Sequence, residues 1–101
     1  MKKGISRSWR RASNGTAINL TMYYVYIIRS VKFSKQFYTG FSSDIVQRLD
    51  DHNKGKNVHT NKFKPWRIIY YCAFTDKKKA LDFEEYLKTA SGIAFRNKRL
   101  V

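Results

Sequence analysis

Apolar positions gather into runs that predict regular elements only from residue 23. Tyr23-Tyr24-Val25-Tyr26-Ile27-Ile28 is a run of aromatic and β-branched residues that predicts a strand over 23–29, and Phe37-Tyr38-Thr39-Gly40 predicts a second over 36–41. A hairpin turning near Lys32, in a register summing to 64, would set Tyr26 directly opposite Tyr38 with Cβ atoms about 5 Å apart. Helical spacing follows over 44–54, with Ser43 as the expected N-cap, Asp44 at the positive end of the helix and Gly55 as its stop. A polar, basic loop from Asn57 to Pro65 leads into a strand over 67–74. Asp76 then caps a helix over 77–89, and a short helix over 92–99 completes the pattern. The order β-β-α-β-α-α defines an α/β (α+β) chain whose first pairing is antiparallel.

Residues 1–21 break from this pattern. They hold Lys2, Lys3, Arg7, Arg10 and Arg11, no acid, and too few apolar residues to pack, so they read as a flexible basic extension. The segment lacks the apolar core of a secretory signal, although its acid-free Arg/Ser composition leaves organelle targeting open. Met22 directly precedes the first strand, which offers a second reading: the folded protein starts there and the upstream residues extend the reading frame. Residues 22–101 then form one small domain.

Charge narrows the choice of partners. The 21 Lys and Arg against 7 Asp and Glu give a formal charge of +14, and +9 without the five cations of the extension, so the chain should attract polyanions, nucleic acid first, and lose that attraction in salt. A solvated charged face or a membrane-surface patch is the competing explanation, but the charges interleave with aromatics and do not line an amphipathic helix. No apolar run approaches the roughly 18 residues a membrane span requires. Cys72 is the only cysteine and lies in the apolar run from Ile68 to Phe74. It reads as a buried structural thiol and fits a reducing intracellular compartment, cytoplasmic or nucleoid-associated.

Helical periodicity sorts the polar residues. Ile45, Arg48, Leu49 and His52 fall at i, i+3, i+4 and i+7, so Arg48 and His52 share or border the inward face. At about 100° per residue from Ala80, Phe83 and Leu87 bound an apolar arc that contains Glu84 and leaves Glu85 outside. A half-buried carboxylate needs a cation, a hydrogen bond or a metal, which makes Glu84 the ligand candidate, with a salt bridge to Lys88 or Arg48 as the plainer reading. Taken singly, the tyrosines read as packing, His52 as a hydrogen-bonding core residue and Arg48 as an ion-pair partner. His59 lies in the basic loop, and two histidines without an HxxxH or Cys/His cluster argue against zinc.

Joint order and spacing change that balance. From Met22 to about Arg99 the chain resembles a GIY-YIG nuclease domain of the small, stand-alone kind, with Val25-Tyr26-Ile27 and Tyr38-Thr39-Gly40 as the two signature elements. Gln47-Arg48-Leu49, Asp51-His52-Asn53, Pro65-Trp66, Ala80-Leu81-Asp82-Phe83-Glu84 and Ser91-Gly92 continue the likeness. Val25 replaces the initial glycine of the first element, and Thr39 is the departure in the second. The resemblance implies a three-stranded antiparallel sheet flanked by helices, and hydrolysis of nucleic-acid phosphodiesters, DNA ahead of RNA, in repair or processing.

The same resemblance distributes roles among the residues. Glu84 would hold one divalent metal, Mg²⁺ or Mn²⁺; Tyr26 would act as base toward water and Tyr38 would hydrogen-bond the water or phosphate. Arg48 would neutralise phosphate charge and His52 orient or relay a proton. Asn97 stands where many members carry an asparagine, and His59 is a further candidate. Lys32, Lys35, Lys54, Lys56, Lys62 and Lys64 are the candidate nucleic-acid contacts. An unperturbed tyrosine pKa of about 10 makes activity rise with pH. Two rivals stand beside the nuclease: a nucleic-acid-binding module on the same fold without catalysis, and a basic surface for ribosomal RNA or an acidic protein.

Overall fold

The structure, a computed structural model, describes residues 9–11, 17–19 and 21–101, with side chains from residue 21 onward. Strands β1 (Trp9–Arg11) and β2 (Ala17–Asn19) pair antiparallel in a two-stranded sheet of their own. Apart from these strands and Thr21, the expected flexible extension over 1–21 lies outside the described residues. Then come β3 (Tyr23–Ser30), β4 (Phe37–Ser42), α1 (Ile45–Asn53), a 3₁₀ turn at Asn61–Phe63, β5 (Trp66–Phe74), α2 (Lys77–Tyr86) and α3 (Ala90–Arg99). The expected order β-β-α-β-α-α is the order found from Tyr23 onward.

β3 is the middle strand of an antiparallel sheet ordered β4-β3-β5. Helices cover both of its faces, which is why its sequence reads as a continuous apolar run and does not alternate. Val25 and Ile27 pack with Ala80 and Leu87 on the α2 side, and Tyr26 and Ile28 pack with Trp66 against Ile45 and Leu49 of α1. Each fully buried aliphatic side chain contributes about 1.5–3 kcal/mol. A bulge in β5 lets Ile27 pair with Tyr70 and Ile28 with Ile68, so Ile69 joins Tyr70 on the α2 side while Ile68 faces α1.

The hairpin register differs from the expected one. Tyr26 pairs with Gly40, and Tyr38 with Ile28. Backbone bonds from Ser30 to Gln36 and from Gln36 to Phe33 close the turn around Phe33, not Lys32. Tyr26 and Tyr38 therefore stand diagonally on one face. The shift has a steric cause: a Cβ at Gly40 would overlap the Tyr26 ring and hydroxyl, so the missing side chain leaves the space that the ring fills.

Helix ends bring two further corrections. Asp44, not Ser43, caps α1, its carboxylate accepting from Gln47 N at 3.0 Å, while Ser42 Oγ binds both the N–H and the C=O of Asp44. Gly55, at φ 79°, closes the end of α1 in the left-handed region as expected. Asp76 caps α2 as expected, accepting from Lys78 N. The expected single helix over 77–89 stops at Tyr86, because Thr89 Oγ1 donates to Tyr86 O at 2.7 Å and accepts from Gly92 N at 3.0 Å. One hydroxyl ends α2 and starts α3.

Candidate active site

Three buried side chains form a hydrogen-bonded chain beneath the sheet. Tyr26 Oη lies 2.8 Å from His52 Nε2, and His52 Nδ1 lies 2.8 Å from Thr60 Oγ1. All three residues are no more than 1 % exposed. The central strand supplies the tyrosine, the last turn of α1 the histidine, and the loop after α1 the threonine. That loop is strapped in place: Trp66 Nε1 donates to Thr60 O at 2.8 Å, and the Asn53 side chain accepts from Trp66 N and donates to Trp66 O.

Burial governs the titration of this chain. It pushes the Tyr26 phenol well above the ordinary tyrosine value, with Tyr38 adding to the effect and Arg48 opposing it. It also lowers the His52 pKa, helped by the Arg48 charge. His52 is therefore a neutral imidazole at pH 7, with one ring nitrogen donating and the other accepting. Tyr38 packs its ring edge-on to His52 at 5.0 Å between centroids, and Tyr26 does so at 5.9 Å, so both tyrosine rings meet the imidazole.

One cavity of about 250 Å³ adjoins this chain at His52, and a second of about 250 Å³ lies on the other side of Tyr38. Arg48, Asp51, His52, Lys56 and Asn57 line the first. Arg48 is exposed on its rim, at the border of the inward face, and its charge is felt at both Tyr26 and His52. Asp51, which sequence reasoning did not single out, accepts from Gln47 Nε2 at 2.9 Å and lies 3.5 Å from Lys56 Nζ. Those contacts hold its carboxyl below the usual range, the Gln47 bond most of all. Tyr38, Lys88, Ile93 and Arg96 help to line the second cavity, along β4. β4 is an edge strand, so side chains from both faces of the sheet meet along it.

Glu84 approaches from the α2 side. Its side chain is 15 % exposed, bonded to Lys88 Nζ at 2.6 Å, and its charge reaches Tyr26. Glu85 is exposed, as the helical arc requires. Among the described residues no three His, Cys, Asp or Glu groups converge on a point. A half-buried carboxylate would suit a hard divalent cation once Lys88 released it.

The family model of the GIY-YIG catalytic domain matches residues 22–98. The chain belongs to the GIY-YIG family. It is similar to a UPF0213 protein of Lacticaseibacillus paracasei, 39 % identical over 67 residues that cover 65 % of this chain and 73 % of that one. A UPF0213 protein of Streptococcus pyogenes serotype M3 is 33 % identical over 66 residues, covering 64 % and 70 % of the two chains. The solution structure of a UPF0213 protein from Bacillus halodurans is also similar, at 25 % identity and a TM-score of 0.48, covering 78 % of this chain and 86 % of that one. A GIY-YIG domain is a nuclease-type fold, and it implies a nucleic acid as partner.

Within this GIY-YIG domain, Tyr26 and Tyr38 both contact His52, Arg48 lines the cavity beside it, and the charges of Arg48 and Glu84 are felt at Tyr26. His59 does not join them; it is exposed on the loop before Thr60. Asn97 is exposed on α3, its Oδ1 accepting from Arg96 Nε and Nη2. The six candidate lysines are all exposed, Lys32 and Lys35 on the β3–β4 hairpin and the other four on the α1–β5 connection. Thr60 is the partner that sequence reasoning missed, because only the folded loop brings it to His52. Among the described residues no helix is long and apolar enough to cross a membrane.

Proposed function

We propose that this protein is a divalent-metal-dependent endonuclease that hydrolyses nucleic-acid phosphodiester bonds, with DNA as its substrate. The observation that carries the reading is the buried Tyr26–His52–Thr60 chain beside Tyr38, Arg48 and Glu84. Glu84 would hold Mg²⁺ or Mn²⁺, and the bound metal would supply Lewis-acid stabilisation of the phosphate and the leaving oxygen.

The protein's own groups account for the proton. A phenol whose pKa is raised by burial is not a phenolate at neutral pH, so Tyr26 acts as a base only by passing its own proton on as it receives another. His52, kept neutral, accepts that proton at Nε2 while its Nδ1–H donates to Thr60 Oγ1. Water oxygen attacks phosphorus, its proton goes to Tyr26 Oη, the Tyr26 proton goes to His52, and the bond to the leaving oxygen breaks. Tyr38 hydrogen-bonds the water or a phosphate oxygen, and Arg48 offsets the charge that grows on the phosphate.

One observation favours a second reading. Lys88 already pairs with Glu84 at 2.6 Å, which suits a nucleic-acid-binding module whose carboxylate is structural. Incubating the chain with labelled single-stranded, duplex, flap and branched DNA in Mg²⁺, Mn²⁺ or EDTA separates the two. The nuclease gives metal-dependent cuts that Glu84→Ala abolishes while binding persists. Binding without cuts under every condition, or cuts that Glu84→Ala retains, would overturn it.

A further inference from the structure

Phe37, in the wall of the second cavity, carries two guanidiniums. Arg96 places its guanidinium carbon 4.5 Å from the centre of the Phe37 ring, and Arg29 places its own 5.5 Å from the same ring. Two guanidiniums thus share one aromatic side chain, and among the described residues neither has a carboxylate in ion-pair contact. Arg96 is also half-buried, which lowers its pKa by desolvation without bringing it near neutrality. A half-buried guanidinium that rests on an aromatic ring and has no carboxylate partner keeps its charge available to an anion.

The remaining geometry says where an anion would lie. Arg96 is held by the Phe37 ring and by Asn97 Oδ1, which accepts from its Nε at 3.0 Å and its Nη2 at 2.9 Å, so its orientation is set before any ligand arrives. Lys88, ion-paired with Glu84 at 2.6 Å, and Tyr38 line the same cavity, and Tyr38 also packs against His52 of the first cavity. Tyr38 is therefore a shared wall, with the proposed cleavage site on one side and Arg96 on the other. The exposed Ile93 supplies an apolar surface beside these cations.

We infer that the Phe37–Lys88–Arg96 cavity is a second phosphate subsite, which takes a backbone phosphate flanking the one to be cleaved. The Arg96 guanidinium, braced on Phe37, grips the phosphate in the planar manner that suits this group. A single strand passing along the edge of β4 would then be held on both sides of Tyr38. The inference rests on the nucleic-acid reading of this edge and deepens it by assigning a position on the strand.

The test uses binding, which does not need cleavage. The full chain is titrated in EDTA with a fluorescent single-stranded DNA oligonucleotide carrying one neutral methylphosphonate, moved one linkage at a time. In the unaltered protein one linkage should cost about tenfold in affinity, and in Arg96→Gln that same linkage should cost nothing, because the contact is already gone. Arg96→Lys, which keeps the charge without the planar brace, should fall between the two. An equal loss at that linkage in the unaltered protein and in Arg96→Gln overturns the subsite. So does a scan of the unaltered protein in which no linkage matters, a readout that stands even if the variants fail to fold. A mapped subsite in a protein that cuts nothing in Mg²⁺ or Mn²⁺ leaves the inference standing and removes the nuclease, and absence of binding removes both.

Discussion

The imidazole of His52 lies between two hydroxyls, with Tyr38 and Arg48 close by on the open side and Asp51 one residue before it on α1. Burial and Arg48 lower its pKa and Asp51 offsets only part of the effect, so it protonates below the ordinary imidazole value of about 6.5. Two consequences follow with the same sign. The unfolded chain takes up this proton first, so stability is full above about pH 6.5 and falls as the pH drops through that value toward the folded pKa. If cleavage runs through the neutral ring as proposed, it should lose rate on an acid limb centred below 6.5, and His52→Gln should cost about 10²–10⁴ in kcat and abolish that limb. Rate profiles of both proteins at saturating DNA check this, and an acid limb centred above 6.5 would sink the relay. His52 was legible in the sequence because its helical spacing placed it on the inward face. Thr60 was not, since its role depends on how Asn53 and Trp66 fold the loop back onto α1.

At the scale of elements, the order from β3 to α3 could be read from the apolar pattern, but the register of the hairpin could not. An aromatic run such as Tyr23–Ile28 offers similar packing in neighbouring registers, and what selects one is the space above Gly40. The same holds for the corner between α2 and α3, where Thr89 looks like an ordinary helical residue until its hydroxyl is seen to serve both helices. The register has a direct test. Gly40→Ala should force the Tyr26 ring off its position, at a cost of about 1–3 kcal/mol from overpacking, and should weaken cleavage by loosening the bond to His52. Thermal unfolding should then drop by roughly 4–8 °C for each kcal/mol. A variant that melts and cleaves like the parent would mean that Tyr26 does not occupy this space.

Over the whole molecule, the acids are almost fully committed to local partners. Asp50, Asp51, Asp82 and Glu84 are paired with Lys54, Lys56, Lys78 and Lys88, and Asp44 and Asp76 cap helices, which leaves Glu85 of the 7 acids. The excess of Lys and Arg is therefore uncompensated and generates the field that draws in a polyanion. It is also unevenly useful. Lys54 and Lys56 have carboxylates in contact, whereas Lys64 bonds the neutral Asn61 side chain and Lys62 lies over the Phe63 ring. A cation that must release a carboxylate before it binds a phosphate contributes less net attraction, even though all four lysines are exposed. Binding of duplex DNA should weaken steeply with salt, with a slope of about 0.9 per phosphate contact. The pair Lys62→Ala and Lys64→Ala should reduce that slope by nearly two contacts, and Lys54→Ala with Lys56→Ala by distinctly less. Fluorescence anisotropy across a salt series measures both, and equal reductions would show that the ion pairs of α1 dissolve when nucleic acid arrives.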